Sequence, residues 1–419
     1  MKTTRPLNRR RCRAVCMLAY TYYPLDSRVR REAAALCKAG YRVDVICLHG
    51  PGDPPFEVQD DVRLWHVPMS RYRGNSVRPY LKGYSLFFVL ALYRLALLYG
   101  RRRYAVIQVH TLPDFLILAA SPFKLLGARL LLDIHDTMPE LYASRFGGRR
   151  EGQAFRVLVG VERVSVWVAD KVLVVDQRER ELLAARGVPW RKMHVVMNSA
   201  DEGLFSVPPA GAPEGTGPAS GTRAAEEFVV LYHGTVVERY GLETLVRAVA
   251  LLRDTMPTLR VNIVGDGDFR ERLRALIGEL ALDDIVRLIG AVPTTAIPQY
   301  ILAADACVAP LNRDIFTENI LPVKLLEAVA MERPVVCSRT PTIMRYFSDE
   351  AVCYFTPGDP GDLARALTLV ATEPDLRQSL VTHARKEAQP YRWSASRQEY
   401  LGVVDALSGA GSPAAGATR

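Results

Sequence analysis

The sequence predicts an α/β protein of two doubly wound domains, and three observations carry that prediction. Short β-branched runs alternate with helical stretches, the pattern of parallel sheets covered on both faces. The alternation occurs twice, on either side of a segment at 207–227 rich in Pro, Gly, Ala and Ser that reads as a flexible linker. At 419 residues the chain exceeds one ordinary domain and suits two.

The first run predicts strands at Ala14–Ala19, Arg42–Leu48, Val106–His110, Leu130–Ile134, Lys171–Val175 and His194–Met197. Between the first two, Val29–Ala39 has a charged face and an Ala/Leu face and stops at Gly40, as an amphipathic helix does. The second run predicts strands Phe228–His233, Arg260–Val264, Ile285–Ile289, Ala306–Ala309 and Pro334–Ser338. Helices are expected at Gly241–Leu252, Phe269–Glu279 and Val323–Ala330. The resulting division is an N-terminal domain at 1–206, the linker at 207–227 and a C-terminal domain at 228–390. A terminal helix at 391–407, expected to pack back on the first domain, and a low-complexity tail at 408–419 complete the chain. In this architecture ligands sit beyond the carboxyl ends of the strands, and with two domains the expected place is the cleft between them.

Composition is globular, 49% hydrophobic and 24% charged, which excludes collagen-like, coiled-coil and wholly disordered chains. The net charge of +9 hides an asymmetry: residues 1–200 hold 33 basic and 17 acidic side chains, whereas the rest hold 21 and 28. A basic half faces nucleic acid, an anionic membrane or a phosphorylated substrate. The chain lacks interleaved aromatic stacking motifs and any recognisable nucleic-acid module, so no nucleic-acid partner is expected. Seven cysteines form no CxxC pair and no zinc spacing; most lie in apolar runs and read as buried thiols of a reducing compartment.

The basic N-terminus leads into Ala14–Tyr20, but the apolar run is too short for a signal peptide and lacks a cleavage site. Tyr84–Leu98 is apolar on nearly every side and is flanked by Lys82 and Arg101-Arg-Arg103. A spanning helix needs about 20 apolar residues, and Arg94 interrupts this one. The expectation is a cytoplasmic protein, peripheral at the inner face of the membrane, with the basic first domain on anionic lipid.

Two stretches of the second half carry chemistry. Leu231–Leu242 is a strand opening through Gly234 and Thr235 into a helix, whose N-terminal N–H groups suit a phosphate, with Arg239 in the loop. The alternative is an ordinary turn with a solvated arginine. In Leu321-Pro-Val-Lys-Leu-Leu-Glu327, Pro322 fits a first helical turn. Lys324 then reaches a phosphate, and Glu327, one turn on, accepts two hydrogen bonds from a ribose diol. A plain surface Lys–Glu pair is the alternative. Val264-Gly-Asp-Gly-Asp268 contains an Asp-x-Asp of the kind that holds a divalent cation, but Gly265 and Asp266 begin a βα turn whose conformation alone explains them. His110, at a strand end, is either a cleft histidine or a structural one.

The string Phe316–Val336 with Tyr232-His-Gly-Thr-Val-Val-Glu-Arg-Tyr-Gly241 closely resembles family 4 glycosyltransferases. The first half agrees in Tyr23-Pro-Leu-Asp-Ser-Arg-Val-Arg-Arg-Glu-Ala33, Leu132-Asp-Ile-His-Asp-Thr-Met-Pro-Glu140 and Met197-Asn-Ser-Ala-Asp201. The resemblance covers nearly the whole chain in order and implies the GT-B fold, two Rossmann-like domains facing each other across a cleft. It further implies retaining transfer of a sugar from a nucleotide-diphosphate donor to a lipid-linked or polysaccharide acceptor. Glu327 matches the ribose-binding carboxylate, His135 with Asp136 the histidine beside the donor sugar, and Asp26, Ser27 and Arg28 the loop facing diphosphate and acceptor. No metal or other cofactor is expected, because helix dipoles and basic side chains neutralise the leaving diphosphate.

The chain departs from the family at three positions. A second glutamate is replaced by Asn319, and the expected Arg and Lys after the Gly234 strand by Thr235 and Tyr240; Arg239 and Lys324 are expected to take over. The donor side thus comprises Gly234, Thr235, Arg239, Gly265, Asp266, Asn319, Leu321, Pro322, Lys324 and Glu327. A sugar-nucleotide epimerase of the same fold, or an inactive homologue that binds through its basic face, are the alternatives.

Overall fold

The computed structural model describes residues 13–72, 74, 76–147, 152–207 and 226–409. Cys12, the basic stretch before it, most of the 207–227 linker and the tail beyond 409 lie outside the described residues. The chain divides into two compact units, one of Met1–Val196 with Ser396–Arg419, the other of Met197–Ala395.

The first unit is built on an eight-stranded sheet. Its strands are β1 (Ala14–Leu18), β2 (Arg42–Leu48), β3 (Phe56–Gln59), β4 (Val62–Val67), β5 (Val106–His110), β6 (Arg129–Ile134), β7 (Lys171–Val174) and β8 (Met193–Val195), in the order β3-β4-β2-β1-β5-β6-β7-β8. Only β3 runs antiparallel, against β4. All five residues of β1 and of β5 are buried, as strands covered on both faces require. The chain winds outward from β1 through β2, then returns to β5 on the other side, so the winding direction reverses between β1 and β5. In open α/β sheets ligands bind at that reversal.

The first helix starts at Ser27, two residues earlier than the amphipathic pattern suggests, because Asp26 caps it: its Oδ1 accepts from the Val29 N–H at 3.1 Å. The apolar helix spans Val77–Arg101, ten residues longer than its apolar stretch, and among the described residues it is the one helix long and apolar enough to cross a membrane. Phe87, Ala91 and Leu95, on one face, are fully buried in the core of the first unit. The opposite stripe, Leu86, Val89, Tyr93 and Leu97, is exposed. The final helix, Trp393–Ser408, contributes Tyr400 to the same unit, where its buried hydroxyl donates to Gln108 Oε1 at 2.8 Å.

The second unit carries a six-stranded, all-parallel sheet: β9 (Phe228–His233), β10 (Leu259–Val264), β11 (Val286–Gly290), β12 (Ala306–Ala309), β13 (Val335–Ser338) and β14 (Cys353–Phe355), ordered β11-β10-β9-β12-β13-β14. Here the winding reverses between β9 and β12. Helices Leu242–Leu252 and Pro360–Thr372 bury Leu245, Val249, Leu363 and Leu367 in the core of this unit. Among the described cysteines, Cys16, Cys47, Cys307, Cys337 and Cys353 are buried free thiols and Cys37 is half-buried.

Candidate active site

At the reversal of the second sheet, β9 delivers Tyr232, His233 and Gly234, and the segment after β12 delivers Asn319 to Glu327. The loop before the Val323–Ala330 helix is fixed by its own side chains. Asp314 Oδ1 accepts from the N–H groups of Phe316 and Thr317 at 2.8 and 2.7 Å, and Thr317 Oγ1 donates to Asn312 O. Asn319, 8% exposed, donates to Ile315 O at 2.7 Å, so it braces this loop.

Lys324, the second residue of the helix, points back at β9. Its Nζ donates to the Tyr232 hydroxyl at 2.7 Å and lies 4.6 Å from the Tyr240 ring centre. A Cβ on Gly234, which has φ +125°, would meet that ammonium at 3.0 Å. Burial pushes the Lys324 pKa down to about 7, with Glu327 opposing the shift only in part. One turn along, Glu327 Oε2 stands 2.8 Å from His233 Nε2, which orients the carboxylate and occupies one of its oxygens. Arg239 stacks between the rings of Tyr240 and Phe316, 5.2 and 5.6 Å away, and its buried Nε has no hydrogen-bond partner among the described residues. Gly265, at φ +146°, is required because a Cβ there would sit 1.8 Å from the Gly234 carbonyl oxygen; the turns after β9 and β10 touch backbone to backbone. Asp266 is exposed, caps the Gly267 N–H and lies 3.7 Å from Arg270. Thr235 offers its carbonyl to the Tyr232 hydroxyl. Leu321 is half-buried and Pro322 buried at the helix start.

At the reversal of the first sheet lies a buried charged network. Arg28 donates from Nε and Nη2 to the two oxygens of Asp133 at 2.8 and 2.6 Å, and from Nη1 to Val196 O at 2.9 Å. His110 Nδ1 is 2.9 Å from Asp133 Oδ2, and His135 Nδ1 is 3.7 Å from the same oxygen. Glu32 lies 3.2 Å from Arg28 and accepts from Gln108 at 2.6 Å. Burial alone would raise the Asp133 pKa, but the Arg28 guanidinium and the two imidazoles hold it well below the usual carboxylate range. Burial works against a charged His135 as well, yet Asp133, with smaller help from Asp136 and Asp26, raises its pKa.

Arg28, which the resemblance puts in the loop facing diphosphate and acceptor, is 3% exposed and donates to Asp133 and to Val196 O, so it orients Asp133. Asp26 serves as a helix cap, and Ser27, half-buried, begins that helix. Asp136 is half-buried beside His135. His110 is 1% exposed and belongs to the network.

Two family descriptions account for most of the chain: "Glycosyl transferase 4-like domain" matches residues 25–199 and "Glycosyl transferases group 1" matches residues 218–387. The chain belongs to the group 1 glycosyltransferases. Relatives of this glycosyltransferase include the D-inositol 3-phosphate glycosyltransferase of Thermomonospora curvata, 27% identical over 66% of each chain. The enzyme of that name from Thermobispora bispora is 26% identical over 93% of each. The phosphatidyl-myo-inositol mannosyltransferase of Mycolicibacterium smegmatis is 30% identical over 44% of this chain and 47% of its own. Among solved structures, sucrose-phosphate synthase from Thermosynechococcus elongatus superposes with a TM-score of 0.76 at 20% identity, covering 95% of this chain and all of the other. Anabaena Alr3699/HepE in complex with UDP-glucose superposes at 0.69 and 16%, covering 94% and 99%. The fold of this glycosyltransferase is GT-B.

Two features escaped the sequence reading. Asp133 and His233 lie inside the motifs, but their roles depend on partners 105 and 94 residues away. His110, Asp133 and His135 also bring their ligand atoms within 4.8 Å of one another, close enough for a metal. The donor set argues against one: both Asp133 oxygens already accept from a buried guanidinium, which would repel a divalent cation.

Proposed function

We propose that this glycosyltransferase moves a sugar, with retention of configuration, from a nucleoside-diphosphate-sugar to a lipid-linked or polysaccharide acceptor, without a metal. The observation that carries the reading is Lys324, whose charge burial disfavours, lowering its pKa to about 7, and which is set against the Gly234 turn. A donor diphosphate returns the proton to Lys324, and Arg239 adds a second cation. The N–H groups that begin the Val323–Ala330 helix contribute fixed partial charge. Glu327, held by His233, accepts from the ribose diol. UDP and UDP-glucose bound to Anabaena Alr3699/HepE support a nucleotide-sugar donor.

On the first domain, His135 carries positive charge over a wider pH range than a free imidazole, steadied by Asp133, and serves the transferred sugar. In a front-face displacement the acceptor hydroxyl oxygen bonds to the anomeric carbon as the bond from that carbon to the diphosphate oxygen breaks. The hydroxyl proton passes to the departing phosphate. Helix-terminal N–H groups, Lys324 and Arg239 stabilise the charge that develops there. We place the reaction in the cytoplasm at the inner face of the membrane; the basic first half and the exposed apolar stripe of Val77–Arg101 support that reading.

Thermal unfolding with UDP-, GDP- and ADP-linked sugars, with and without EDTA, tests the donor site. One nucleotide class at 100 times its dissociation constant should stabilise the protein by about 2.7 kcal/mol, with EDTA changing nothing. No stabilisation by any donor, or stabilisation abolished by EDTA, would overturn the reading.

A further inference from the structure

The first domain carries a second built surface, away from the charged network. Leu125 is 91% exposed, Leu126 54% and Trp167 79%, three large apolar side chains that no core claims. Hydrogen bonds around them tie them together. Lys124 donates to Val168 O at 2.8 Å, Lys192 donates to Trp167 O at 3.1 Å, and Tyr99, from the last turn of the Val77–Arg101 helix, donates to Leu126 O at 3.1 Å. Beside Trp167 runs a groove of about 980 Å³. Six of its fourteen lining residues are Lys or Arg and one, Asp170, is acidic; Arg186 is tied to Glu140 and Glu162 and Lys124 to Asp170, and the other four cations, Arg163, Lys171, Arg191 and Lys192, suit an anionic occupant.

We propose that the Leu125–Leu126 knuckle, Trp167 and this basic groove form the docking face for an anionic phospholipid bilayer. Indole and leucine side chains enter the boundary between headgroups and acyl chains, while cations around them take lipid phosphates. A soluble phosphate or a nucleic acid would leave Leu125 and Trp167 in water, and a second copy of the same face would set like charges against each other. Burial and the neighbouring Lys124 lower the Lys192 pKa, and Asp170, which pairs with Lys124 at 3.2 Å, offsets this only in part. The exposed stripe Leu86, Val89, Tyr93 and Leu97 lies on the helix whose last turn Tyr99 fastens to this knuckle. The inference rests on the peripheral-membrane reading above and names its surface and lipid charge; it is independent of the donor site.

The test is flotation of the full chain with vesicles of phosphatidylcholine alone or mixed with phosphatidylglycerol. Binding is expected only to the anionic vesicles and should weaken with salt. Leu125→Ser with Trp167→Ser, and separately Lys171→Glu with Lys192→Glu, should each weaken it at least about tenfold, with the melting temperature and donor-induced stabilisation unchanged. Wild type that ignores anionic vesicles, or variants that bind them as wild type does, would overturn the proposal. So would a face that retains heparin or nucleic acid without vesicles, or substitutions that dissolve a dimer seen by sedimentation velocity. Vesicle binding without any donor-induced stabilisation would sink the donor reading and leave this one standing.

Discussion

Arg28 and Lys324 are each the second residue of a helix that follows a strand at the reversal of its sheet, and their surroundings differ in kind. Arg28 is fully paired, with Asp133 on two donors, Glu32 at 3.2 Å and Val196 O on the third. Lys324 has a phenol hydroxyl and aromatic faces, and the carboxylate that bears on its charge, Glu327, is engaged with His233. A cation neutralised within the fold positions other groups; a cation left short of charge compensation has a use for an anionic ligand. The same place in the same kind of domain thus serves architecture in one half and binding in the other.

The largest effect separates the two by stability. Arg28→Leu strands Asp133 without its guanidinium and should cost about 3–5 kcal/mol, the range for breaking a buried ion pair. Lys324→Met removes a desolvated amine and should stay within about 1 kcal/mol of wild type or improve on it. Chemical denaturation of both variants checks the contrast, and equal losses would erase it.

A second substitution sharpens the binding half. Glu327→Ala removes the ribose acceptor and should cut transfer about 10- to 100-fold, since hydrogen bonds to a charged group contribute about 1.5–3 kcal/mol. Initial rates measure this, and the melting temperature should fall less than for Arg28→Leu, because the His233–Glu327 pair is only part-buried.

Much of this division was readable in the sequence, for physical reasons that stop at identifiable points. Central strands such as Val106–His110 are buried along their whole length, so a short run dominated by β-branched residues suffices to find them. The edge pair Phe56–Gln59 and Val62–Val67 is half polar, with Val58 59% exposed, and turns through Asp60 and Asp61 at positive φ; no continuous run announces it. Cys353–Phe355 is only three residues long. Glu327 and Lys324 stand out because i, i+3 spacing on a helix is local. Their partners Tyr232 and His233, and the Arg28–Asp133 pair, are set by tertiary folding over roughly a hundred residues, which local spacing does not encode.

A smaller effect tests the network. Because the His135 pKa lies above its unfolded value, its contribution to stability is complete below about 6.5 and is lost as pH rises through the folded value. His135→Gln should remove that slope above about 6.5, and NMR titration of the ring should place its pKa above that of a free histidine. A ring titrating below a free histidine would show that Asp133 does not steady its charge.

The most direct measurement is calorimetric titration of the preferred nucleotide-sugar at a series of pH values, for wild type and Lys324→Met. With Lys324 near 7 in the empty site, donor affinity should be level below that pH and fall about tenfold per unit above it, as binding must take up a proton. The variant should bind more weakly at low pH and show no such slope. A wild-type affinity that is flat from pH 6 to 9, or a slope that survives Lys324→Met, would contradict the assignment of Lys324 to the donor diphosphate.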